Sequence, residues 1–151
     1  MQEICDVFLL DELDGSSKLL QPLKIFAPEI EFDHNNKYTG FLGLELKRLK
    51  AVSIIVHFRK NGVRSLNIPV KYKSNLISRA EARTYAEKYL EGKGTIIDST
   101  TSACDPMFWH FAFSRPDLYE GGGNLVVDAL DGHVWTSDEL EEFCYDYLNL
   151  L

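Results

Sequence analysis

Cysteine is scarce in this chain, and no long apolar run interrupts it. The three cysteines among 151 residues, Cys5, Cys104 and Cys144, are odd in number and widely spaced. That excludes a disulfide framework and a paired zinc-finger spacing, and leaves buried or partly buried free thiols. No stretch approaches the roughly 20 continuous apolar residues that a membrane helix requires. Met1-Gln2-Glu3-Ile4-Cys5-Asp6 carries acids where a secretory leader carries lysine or arginine, so the expectation is a cytoplasmic protein without a membrane partner. Internal repeats, low-complexity tracts and long Pro/Gly/Ser linkers are also missing. One domain over residues 1–151 is therefore expected, with a strand-rich first half (1–75) and a helix-strands-helix second half (76–151).

What is present is ordinary for a globular chain: 45% hydrophobic, 26% charged and 12% aromatic residues, enough apolar side chains to build a core. The net charge of −7 conceals a strong asymmetry. From His34 to Lys93 there are thirteen lysines and arginines against four acids, whereas from Gly94 to Leu151 eleven acids face the single base Arg115. Charge divided in this way steers partners more than it sets a fold.

The local patterns predict an α+β fold, with antiparallel sheets built from several hairpins and two amphipathic helices packed on one side. Ile4–Leu10 and Leu19–Phe26 read as strands, as do Glu29–Asp33 and Tyr38–Lys47 on either side of His34-Asn35-Asn36. Asn61-Gly62 between Ala51–Lys60 and Val63–Tyr72 predicts a tight hairpin, because Asn-Gly supplies the positive φ that a two-residue turn requires. Ser78-Arg79-Ala80-Glu81 fits a capping box, and Ala82, Tyr85, Ala86, Tyr89 and Leu90 fall on one helical face before a stop at Gly92. Thr95–Ser99, Met107–Ser114 and Leu125–Leu130 read as strands, with Trp109, Phe111 and Phe113 on one face and Phe108, His110 and Ala112 on the other. Asp131-Gly132 makes a turn, and Thr136-Ser137-Asp138-Glu139 opens a last helix. Its apolar stripe is Leu140, Phe143, Cys144, Tyr147, Leu148 and Leu151.

Candidates for chemistry are few. Asp33, Glu45 and Lys47 follow the acid and Glu-x-Lys order of metal-dependent nucleases, in which carboxylates hold the metal and the lysine orients water. The same residues also suit an ordinary solvated strand face. Cys104 and His110, with Asp98 or Asp105, lack a third group to orient the histidine or a second pair to complete a zinc set. His34, His57 and His133 suit turns and a strand face. Gly121-Gly122-Gly123 lacks the Lys-Ser/Thr ending of a phosphate loop and leads into a strand. The basic residues of the middle segment are scattered and the chain is acidic overall (pI ≈ 5.1), which argues against nucleic acid as the partner. In the last helix, Asp138, Glu139 and Glu141 are accounted for by the helix dipole, whereas Glu142 and Asp146 lie beyond its first turn.

Ser78-Arg79-Ala80-Glu81-Ala82, then Trp109-His110-Phe111-Ala112-Phe113, then Gly123 to Val134 with Asp131-Gly132 form a helix-plus-antiparallel-strand order. This order resembles PepSY-like domains and the small immunity proteins of bacterial polymorphic-toxin systems. It covers the second half of the chain. The added strand-rich first half is more similar to the immunity proteins of contact-dependent growth inhibition. The resemblance implies no catalytic residue and no cofactor. It implies a domain that binds one cognate toxin and blocks its active site or an essential surface; a regulatory or scaffold domain with another protein partner is the alternative. The charge division fits the first reading, because a nuclease toxin presents a basic cleft that an acidic surface would meet. Asp128, Asp131, Glu139, Glu142 and Asp146 are the residues expected there.

Overall fold

The computed structural model describes residues 3–97, 106–115 and 123–150. The order is β1 (Ile4–Asp14), α1 (Leu23–Phe26), β2 (Lys37–Phe41), β3 (Leu46–Lys47), α2 (Arg48–Lys60), β4 (Ser65–Pro69), α3 (Arg79–Leu90), β5 (Thr95–Ile97), β6 (Phe108–Ser114), β7 (Gly123–Asp128) and α4 (Ser137–Leu148). This is an α+β fold with antiparallel sheets. Two compact units divide it: residues 1–71 with 141–151, and residues 72–140. The boundary falls inside α4.

In the first unit β1 is the strand on which the others pair. It is antiparallel to β2 (Leu9 opposite Gly40), to β3 (Cys5 opposite Leu46) and to β4 (Val7 opposite Asn67). Alternation sends Cys5, Val7 and Leu9 into the core, where Ala51, Ile54, Ile55 and Phe58 of α2 meet them. Asp6 points the other way and is fully buried. Its carboxylate accepts the amides of Val7 (2.7 Å), Leu44 (2.8 Å) and Gly43 (3.0 Å), which binds the segment before β3 to the centre of the sheet. A buried carboxylate is tolerable only when its lone pairs are used in this way.

The expected hairpin at Asn61-Gly62 is replaced by the end of a helix. Ala51, Ile54, Ile55 and Phe58 recur at i, i+3, i+4 and i+7, and burial of that stripe overrides the strand preference of Val52, Ile54, Ile55 and Val56. Asn-Gly keeps its positive φ but serves a different turn. Gly62 (φ 77°) donates to Arg59 O (3.1 Å) and Val63 donates to Phe58 O (3.0 Å), the paired bonds of a Schellman cap, with Val63 buried after the turn.

Leu19–Phe26 is likewise not a strand. Ser17 Oγ accepts the Leu19 amide (3.2 Å) to start a 3-10 turn at Lys18–Leu20, and α1 follows Pro22, with Leu20, Leu23 and Ala27 turned inward. Glu29–Asp33 does not pair with Tyr38–Lys47. Residues 37–41 form β2 and pair with β1, and Glu45 lies outside any strand.

The second unit follows its expected order closely. Ser78 Oγ accepts the Glu81 amide (3.1 Å) and donates to the Glu81 carboxylate (3.2 Å), so this cap satisfies one helix amide, not two. Ala82, Ala86 and Leu90 of α3 pack on Phe111, Leu125 and Val127, joined by Trp109 and Phe113. Tyr85 and Tyr89, expected on the same face, remain 46% and 44% exposed. Residues 98 and 99 of the strand expected at Thr95–Ser99 lie outside the described residues.

Gly132 (φ 79°) turns the chain after β7, and the Tyr85 ring lies so close that a Cβ there would sit 2.3 Å from Tyr85 Cδ2. Two consequences are measurable by denaturant unfolding. Phe58→Ala should cost ~3–5 kcal/mol, because a fully buried ring leaves a cavity that the packed sheet cannot collapse. Gly132→Ala should cost more than about 1 kcal/mol, from backbone strain added to the Tyr85 clash.

Candidate protein-binding face

The acidic residues near the end of the chain separate into those used internally and those that face outward. Asp128 closes β7 and is only 7% exposed. Its Oδ2 accepts Tyr72 OH (2.8 Å) and Trp135 Nε1 (3.0 Å), while Oδ1 accepts the Leu130 amide (2.8 Å). Three donors occupy it, so it takes no place on an outer surface, and this corrects the expectation drawn from charge alone. Asp131 is exposed and shapes its turn by accepting the His133 amide (2.9 Å).

Glu139 completes the capping box: its carboxylate accepts the Thr136 amide (3.0 Å) and its own amide donates to Thr136 Oγ1 (3.2 Å). The same carboxylate meets His133 Nε2 at 2.9 Å. The Thr136 amide first, and then the His133 ring, hold the Glu139 carboxyl below the usual carboxylate range.

From Glu141 onward α4 belongs to the first unit and is anchored by one face. Phe143 is buried and Tyr147 stacks on it at 5.0 Å between centroids. The Tyr147 hydroxyl donates to the Glu3 carboxylate, which also meets Lys71 Nζ at 3.1 Å. Burial and then the Glu3 partner push the Tyr147 phenol above its ordinary range. The Arg48 guanidinium lies over the Tyr147 ring (5.3 Å), and its Nη1 reaches Asp146 Oδ1 (3.7 Å) and Asp146 O (3.2 Å). Asp146 is therefore half-buried and paired. Arg59 closes the helix end by donating to Leu148 O (2.6 Å) and Asn149 O (3.3 Å), the groups that a helix leaves unsatisfied.

The face opposite these anchors carries Glu141, Glu142 and Tyr145, all exposed, with Tyr145 62% accessible. Glu141 and Glu142 lie four and three residues before Tyr145, so the three are neighbours on the helix surface. Of the residues expected to bind a partner, only Glu142 belongs to this group. Tyr145 was not anticipated, although an aromatic residue between the stripe positions Phe143 and Tyr147 is displaced onto the polar face by helical period alone.

The other candidates are accounted for locally. Asp33 is exposed and accepts the Asn35 amide (2.9 Å), Glu45 is exposed, and Lys47 is the residue from which α2 begins. Among the described residues no three His, Cys, Asp or Glu side chains converge to hold a metal. Burial pushes the Cys5 thiol up to about 12, which keeps it protonated and unreactive at neutral pH. His110 stands in β6 with its ring edge-on to Phe108 (6.2 Å), while Cys104, Asp98 and Asp105 lie outside the described residues. The basic middle segment is partly neutralised within its own units, through Lys37 with Glu12, Arg64 with Asp11 and Arg83 with Glu87.

No protein-family model, curated protein or solved structure matches the chain.

The capping box sets a pH dependence. A carboxyl lowered in the folded state contributes stability that is present above its ordinary value near 4.5 and is lost as pH falls through the folded value. A carbon-detected titration should find Glu139 ionising below an ordinary glutamate, and Glu139→Gln should flatten the acid limb of unfolding at the start of α4.

Proposed function

We propose that this chain is a non-catalytic protein-binding domain. More specifically, it is an immunity protein that works in the cytoplasm by binding a cognate bacterial toxin and masking its active surface. The observation that carries this reading is Tyr145, an aromatic side chain 62% exposed beside Glu141 and Glu142, on a helix whose other face is pinned by Phe143, Tyr147 and Asp146.

Tyrosine is among the residues that dominate binding energy at interfaces, and a helix already held in place loses little further freedom on docking. Carboxylates at the rim raise the encounter rate with a basic surface, such as the cleft of a nuclease, and suppress wrong partners. The likeness of the second half to immunity proteins supports the same conclusion. Glu139 and Asp131 add negative charge in the second unit, but their hydrogen bonds already have local work.

The direct test is to mix the purified protein with the product of the neighbouring gene. A complex is expected; its absence at both low and physiological salt would sink the proposal. Within the complex, Tyr145→Ala should cost about 2 kcal/mol or more through faster dissociation. Glu141→Lys with Glu142→Lys should chiefly slow association and weaken its salt dependence. Replacing Glu45 and Lys47 should leave binding unchanged, because neither lies on this face.

A further inference from the structure

A second feature of the first unit points to a small ligand. Between α2, the start of β4 and the end of α4 lies a cleft of about 330 Å³, at the lower end of the range typical of ligand pockets, about 300–1,000 Å³. Its walls are Leu10, Ile55, Val63, Leu66, Leu148 and Leu150. Among the described residues the remaining lining includes three polar ones, Arg59, Arg64 and Ser65, and no carboxylate.

These polar groups differ in their commitments. Arg64 is paired with Asp11 through bonds of 2.8 and 3.1 Å. Arg59 donates only to the neutral carbonyl oxygens of Leu148 and Asn149, so its charge meets no counter-charge among the described residues. Ser65 lies opposite Leu9 in the β1–β4 register and therefore shares the sheet face that α2 covers. Its Oγ is enclosed and has no hydrogen-bond partner among the described residues. Closed to water as it is, that hydroxyl takes no part in ligand contact, and Arg59 is the charged group that the cleft leaves for a ligand.

From this combination we infer that the cleft binds a small amphipathic carboxylate. Its aliphatic body lies along the leucine and isoleucine walls. Its carboxylate is neutralised by Arg59. The inference is independent of toxin binding, because none of Glu141, Glu142 and Tyr145 lines the cleft.

Octanoate titrated into the full chain and followed by calorimetry is the test, with octylamine as a probe of the same length and opposite charge. Saturable one-to-one binding of octanoate is expected, with none for octylamine. Leu150→Trp fills the cleft from a residue already 45% exposed, so the fold should persist while affinity falls by about tenfold or more. Arg59→Gln should weaken octanoate several-fold, whereas Ser65→Ala should leave it unchanged. The inference is overturned if octanoate fails to saturate, if octylamine binds equally well, or if Leu150→Trp leaves the affinity unchanged.

Discussion

Each unit rests on the same constraint: an antiparallel sheet with one apolar face must have that face covered, and one long helix lies across it in each. In the first unit α2 lays Ala51, Ile54, Ile55 and Phe58 on Cys5, Val7 and Leu9 of β1. In the second, α3 lays Ala82, Ala86 and Leu90 on Phe111, Leu125 and Val127. The two helices reach this end by different chemistry. The second uses small residues so that its backbone approaches a sheet rich in aromatics, whereas the first uses large side chains over a strand of moderate ones. A sheet without its helix would leave that apolar face in water.

The carboxylates show how the same residue type is assigned opposite work. Asp6 and Asp128 are buried and surrounded by donors, so they specify where a loop and a turn must lie. Asp146 and Glu3 are partly covered and hold α4 to the first unit through Arg48, Lys71 and Tyr147. Glu141 and Glu142 remain outside these networks and are free to meet a partner. Net charge describes none of this, because it sums groups whose environments differ from fully dry to fully wet. What separates them is the donors that the fold brings within reach.

Much of the second unit was legible in the sequence, because its signals are local. Both capping boxes name their helix within four residues, Gly92 and Gly132 mark turns by their positive φ, and the alternation of Trp109, Phe111 and Phe113 matches the face under α3. The first unit was harder to read because its decisive signals are ambiguous over short windows. Ala51–Phe58 is rich in β-branched residues yet carries a helical stripe, and Asn61-Gly62 suits a hairpin turn and a helix cap equally well. Only burial against β1 decides between them. The proposed face was half visible: Glu142 and Tyr145 follow from helix position, whereas the loss of Asp128 and Asp146 to internal partners depends on residues distant in sequence, Tyr72 and Arg48.

The division of the chain has a bearing on how it is made. The first unit draws on residues 1–71 and again on 141–151, with the whole second unit threaded between them. During synthesis β1 can pair with β4 once residue 69 has emerged, and α2 can then cover it. Glu3 and Arg48 must still await Tyr147 and Asp146 until the intervening unit has been translated. A nascent chain arrested before α4 would thus carry a covered sheet with an unfinished seam, exposed to other hydrophobic surfaces for as long as the ribosome takes to deliver the missing helix.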